Sequence, residues 1–116
     1  MTSVWFTITE NNLHEGGRPR DPREVYLNLN KEQAAVLPAD PFPVRGDTGQ
    51  WMVWHATGHA GGASHSRHPK NLRSVGALGM GTWLLPKGAA VGDRVQLTDA
   101  GNGSFDARYL PQERHV

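Results

Sequence analysis

Gly81-Thr82-Trp83-Leu84-Leu85-Pro86-Lys87-Gly88-Ala89-Ala90-Val91-Gly92-Asp93-Arg94-Val95-Gln96-Leu97 carries the strongest fold signal in the chain. The run from Gly79 to Leu85 is expected to hold one helical turn, which Pro86, lacking a backbone donor, ends. Ala90-Val91-Gly92-Asp93 then reads as a tight turn that opens a strand, Arg94 to Thr98. Asp99 to Ser104 has the Gly and Asn content of a hairpin connection, and Phe105, Ala107 and Tyr109 alternate with Asp106 and Arg108 along a returning strand. A short helix, a turn and a hairpin within about 30 residues is the grammar of a β-rich domain.

Upstream, the same grammar repeats. Val4, Phe6 and Ile8 fall on one face of a first strand, with Trp5, Thr7 and Thr9 on the other. Val25, Leu27 and Leu29 alternate in a second strand that runs straight into Asn30-Lys31-Glu32-Gln33, a capping-box pattern, so a helix of about two turns should start there and stop at Pro38. Trp51 to His55 is a third strong strand, preceded by a weaker one near Val44. Trp51 and Trp54 lie on its opposite faces, so one is expected in the core and the other is available to a ligand. With 14 glycines and 8 prolines among 116 residues, a helical bundle is disfavoured. The expectation is one domain, residues 1–116, mainly β with one or two short helices.

Composition removes several functions. There is no cysteine, which excludes disulfides, thiolate catalysis and thiolate zinc sites. No apolar run approaches the roughly 20 residues of a membrane span, and the first residues lack signal-peptide features, so a cytoplasmic protein without a membrane partner is expected. His55 and His59, and likewise His65 and His68, have spacings that would suit metal ligation on a helix, but Gly58, Gly61 and Gly62 oppose that helix. Ser64 fails the Gly-x-Ser-x-Gly elbow pattern, and Gly79-Met80-Gly81 is followed by no Lys-Ser/Thr pair. Neither catalysis nor a cofactor is therefore expected.

The informative residues lie in two polar insertions. The first, residues 11–24, holds Asn11, Asn12, His14, Arg18, Arg20 and Arg23 with three balancing carboxylates. The second, residues 57–74, is rich in Gly and His. Between Arg45 and Val75 the net charge of the whole chain, +1, conceals a basic stretch in which Arg45, Arg67, Lys70 and Arg73 face Asp47 alone. Long loops on a small domain are more often functional than accidental.

Three pieces, FTITENN, VYLNLNKEQAAVLP and GTWLLPKGAAVGDRVQL, occur in an order that resembles the DNA-binding pseudobarrel family. That family includes the domains of plant auxin-response-factor and abscisic-acid-insensitive transcription factors and the effector domains of some type II restriction endonucleases. The resemblance runs from about Ser3 to Leu110. It implies an open seven-stranded barrel with two short helices that grips the major groove of double-stranded DNA between two arms, here residues 11–23 and the loop after Trp51 to His55. On that reading Lys70 and some of the arginines, among Arg18, Arg20, Arg23 and Arg67, neutralise phosphates, and Arg73, Asn71, His14 and Asn11 are candidates for reading base edges. His65 and His68 add donors, and Trp54 is placed to stack on a base or meet a cytosine methyl group, which would make the protein a reader of methylated DNA. A recognition subunit whose nuclease or regulatory partner is a separate chain fits the same residues. Two rivals stand beside this reading: a small metal-dependent enzyme using His55, His59, His65 and His68, and a protein-interaction module.

Overall fold

Alternation of apolar and polar residues becomes burial in the computed structural model, which describes residues 2–13, 23–38, 40–56, 71–76 and 78–112. Strand β1, Ser3–Thr7, buries Val4 and Phe6 and leaves Trp5 outside. It is followed by β2 (Tyr26–Asn28), β3 (Phe42–Arg45), β4 (Gln50–Ala56), β5 (Asn71–Ser74), β6 (Arg94–Gly101) and β7 (Ser104–Leu110). All seven join one sheet in the order β1-β6-β7-β3-β4-β5-β2. The pairings are antiparallel except for β3 against β7, which is parallel.

The two end strands of that order, β1 and β2, come alongside each other without forming a ladder, so the sheet curls into a nearly closed pseudobarrel with one unsealed seam. Side chains bridge the seam. Gln33 donates through Nε2 to the Trp5 carbonyl at 2.5 Å, and Asn28 donates through Nδ2 to the Thr9 hydroxyl at 3.3 Å. The first of these bonds occupies a backbone carbonyl on the open edge of β1 that would otherwise invite another strand.

Gln33 is held for this task by helix α2, Lys31–Val36, in which the expected capping box is complete. The Asn30 side chain accepts from the Gln33 amide at 2.8 Å, and the Gln33 side chain accepts from the Asn30 amide at 2.8 Å. Helix α3, Gly79–Leu84, runs on through Pro86 in a 3-10 turn, Leu85–Lys87, instead of ending there. Proline is compatible with this because it occupies the first turn of the 3-10 segment, where its missing donor is not needed.

The interior is one apolar cluster. Phe42 packs on Phe105 with ring centroids 5.2 Å apart, and Trp51 packs on Trp83 at the same distance. Asp47 fixes the second pair by accepting from the Trp83 indole at 2.7 Å, while the Lys87 ammonium lies 2.8 Å from the same carboxylate. These two donors hold the Asp47 carboxyl below its ordinary range. Pro43, within the strand read as weak, sits opposite Met52 just before the stretch paired with β7, so its lack of an N–H costs no ladder bond to β7. The last hairpin turns at Asn102 and Gly103, both with positive φ, the backbone form that two-residue hairpins require.

The buried carboxylate of Asp93 explains the Val-Gly-Asp turn. It accepts from the amides of Ala90 at 2.9 Å and Gln112 at 2.8 Å and from the Tyr109 hydroxyl. The Asp93 carbonyl accepts from Ile8, and the Gly92 amide donates to the Ile8 carbonyl. One turn therefore ties the start of β6 to the ends of β1 and β7.

Two sequence expectations need correction. The polar stretch beginning at Asn11 does not start as an exposed arm: Glu10–Leu13 forms a helical turn, α1, in which Asn12 is buried and accepts from the Thr9 amide at 2.8 Å. Leu13 packs against the core and anchors that turn. The second insertion is also shorter than read, because Asn71–Ser74 is a sheet strand paired on both sides. Polar composition concealed it, since a short strand between two partners is fixed by pairing and by its one core residue, Leu72.

Candidate nucleic-acid interface

The register of β4, β5 and β2 determines which side chains share a surface. Val53, Leu72 and Leu27 point inward and are fully buried, so Trp54, Arg73 and Tyr26 face outward. Register places Trp54 opposite Arg73 and Arg73 opposite Tyr26, giving a row across three strands. The Arg73 guanidinium lies 4.4 Å from the centre of the Tyr26 ring, a cation–π contact that keeps it flat against the sheet. Trp54 remains 42% exposed. A cleft of about 310 Å³ opens beside this row, lined by Glu24, Val25, Trp54, Arg73, Ser74 and Gly76.

The next row along the same strands is Ala56, Asn71 and Asn28, about 7 Å away at the strand repeat. The second polar insertion is rooted here: segment 57–70 leaves from Ala56 and returns at Asn71. Segment 14–22 starts after α1, and Thr9, just before α1, receives the hydrogen bond from Asn28, so α1 docks near this end. That segment returns at Arg23, whose carbonyl lies so close to α3 that a Cβ on Gly81 would come within 1.9 Å of its oxygen.

The residues expected to contact DNA divide accordingly. Arg23 is exposed and Arg73 half-buried at the cleft, with Trp54 beside it. Asn71, expected on an arm as a base reader, is instead the first residue of β5 and only 9% exposed, because the strand is paired on both sides. Asn11 falls within α1. His14, Arg18, Arg20, His65, Arg67, His68 and Lys70 lie outside the described residues. Glu24 and Tyr26 were not legible as site residues. Their only sequence signal is position, Tyr26 alternating with the inward Val25 and Leu27, and register alone sets it beside Arg73.

His55 points toward the barrel interior at the same end. Its Nε2 is buried with no hydrogen-bond partner among the described residues, and burial holds its pKa below the ordinary value of 6.5, which favours the neutral ring. Among the described residues no three His, Asp or Glu side chains gather to hold a metal ion. Across the seam from β2 Arg94 stacks on Trp5 at 4.9 Å, and between β3 and β7 Arg45 pairs with Asp106 at 3.2 Å. No described helix is long and apolar enough to cross a membrane.

No family model matches this sequence, and no curated protein matches it.

Proposed function

We propose that this protein binds double-stranded DNA without catalysing a reaction on it, using the outer face of β4, β5 and β2 and the polar insertions that adjoin it. The observation that carries the proposal is the outward row of Trp54, Arg73 and Tyr26 across β4, β5 and β2, two residues along the strands from the root of the later insertion at Ala56 and Asn71. The segment rooted between Ala56 and Asn71 contains Arg67 and Lys70 and no carboxylate, which suits it to phosphate contact. Arg23 and Arg73 extend the basic character onto the described surface.

Fluorescence anisotropy with a labelled duplex across a salt series tests this directly, with unmodified and cytosine-methylated duplexes run in parallel. Affinity should fall linearly on logarithmic axes as salt rises, and Arg67→Ala or Lys70→Ala should each lower the slope by about one if that residue holds a phosphate. Absence of binding at low salt overturns the proposal. Unchanged binding in both variants, with folding intact, removes the second insertion from it.

A further inference from the structure

We propose that the cleft beside Trp54 takes a single unstacked cytosine base, an inference that rests on the duplex-binding reading and adds to it a pocket for one nucleotide. The walls supply the three things such a base needs. Trp54, on the outer face of β4, offers a largely exposed indole as a stacking surface. Arg73, across from it in register, presents a planar fork of N–H donors whose orientation is fixed by the Tyr26 ring beneath. Glu24, half-buried at the rim, supplies a carboxylate that is engaged by no other described group. Val25 and Gly76 leave the remaining wall apolar and open, and Ser74 is held in place by accepting from the Met80 amide at 2.8 Å.

This donor and acceptor pattern selects among the bases. The pairing edge of cytosine carries one amino donor beside two adjacent acceptors, N3 and O2. An arginine fork can donate to that acceptor pair while a carboxylate accepts from the amino group. Thymine carries a carbonyl where cytosine carries its amino group, so the Glu24 carboxylate would meet an acceptor and repel it. The volume, about 310 Å³, lies at the small end of ligand pockets and admits one pyrimidine with its sugar, not a dinucleotide. The cleft is also only two residues along the strands from the root of the second insertion at Ala56 and Asn71, about 7 Å, within reach of a base extruded from a duplex held there.

The test compares three duplexes of identical flanks: fully paired, with one unpaired cytosine, and with one unpaired thymine. An unpaired base removes most of the cost of extrusion. Free cytidine monophosphate, followed by quenching of tryptophan fluorescence, is the parallel arm that separates an extruded base from a free nucleotide. The protein should prefer the unpaired-cytosine duplex about tenfold over the other two. Within each variant, Trp54→Ala should bring the ratio of unpaired-cytosine to paired affinity close to one, and Glu24→Gln should bring the cytosine to thymine ratio close to one. Equal binding of all three duplexes by the unaltered protein overturns the pocket and leaves duplex binding standing, as does a cytosine preference that survives Trp54→Ala. Failure to bind any duplex, together with saturable quenching by the free nucleotide that Trp54→Ala abolishes, overturns the duplex reading and supports the pocket. Neither response overturns both.

Discussion

Replacing Asp93 by alanine should be among the most damaging single changes in the barrel. The side chain is fully buried and among the described residues accepts from the Ala90 amide at 2.9 Å, the Gln112 amide at 2.8 Å and the Tyr109 hydroxyl. Alanine leaves all three without that acceptor. A buried donor deprived of its partner costs about 1–3 kcal/mol. Tyr109 is half-buried and Gln112 exposed, so water can reach them in part and the low end applies, giving about 3 kcal/mol in all. For a domain of this size that corresponds to a fall in Tm of roughly 10–20 °C. Asp93→Asn should lie between, because the amide keeps one acceptor oxygen but turns an N–H₂ toward a donor. Asp106→Ala is the control: its ion pair with Arg45 is exposed, and removal should cost less than about 1 kcal/mol. Urea denaturation followed by tryptophan fluorescence reads all three, with an unchanged m-value showing that stability alone has moved. An Asp93→Ala protein within about 1 kcal/mol of the unaltered one would refute the argument that this carboxylate fastens the turn to β7.

Gly81→Ala sets a Cβ against the Arg23 carbonyl, so despite the better helix propensity of alanine it should destabilise by about 1–2 kcal/mol and weaken nucleotide quenching at the neighbouring cleft; equilibrium denaturation and the fluorescence titration report the two effects separately. Asp47, held below its ordinary pKa of 3.8 by Lys87 and the Trp83 indole, contributes stability that is present above pH 3.8 and lost as pH falls below it. Asp47→Asn should therefore lower the denaturation midpoint at pH 7 and leave it nearly unaltered once both carboxyls would be neutral, a modest difference because the site is open to solvent. His55 behaves in the same sense for a different reason. Burial disfavours its charged form, so its contribution is complete above pH 6.5 and declines as pH drops through the folded-state value, and an NMR titration of the ring should show protonation below that of an exposed histidine.

Local chemistry determined more of this fold than of its site. The alternation of Val4, Phe6 and Ile8, the Asn30–Gln33 capping box, the opposite faces of Trp51 and Trp54 and the Asn102-Gly103 turn are short-range patterns, and each has its physical cause within a few residues of itself. The mainly β class follows from these patterns, whereas the seven-stranded pseudobarrel is expected only from the resemblance of three pieces of sequence to a known family, and the sheet has that form. The positions of Asn12 and Asn71 were not legible in the same way. Both are polar residues that water would ordinarily claim, and both are buried because of partners the chain supplies through folding: a helical turn closed onto Thr9 for one, strands on both sides for the other.

The candidate site belongs almost entirely to tertiary structure. Glu24, Trp54 and Arg73 are separated by 19 residues or more along the chain, and no periodicity joins them; the pairing of β4 with β5 and β5 with β2 brings them to one cleft. The sequence by itself determined that two polar insertions exist and that the later one is basic. Only the closing of the sheet decided that α1, which precedes the first insertion, docks at Asn28 beside the root of the β4–β5 connection. The reason is physical: burial preference is written residue by residue, whereas strand order and register emerge from the joint packing of all seven strands around one core.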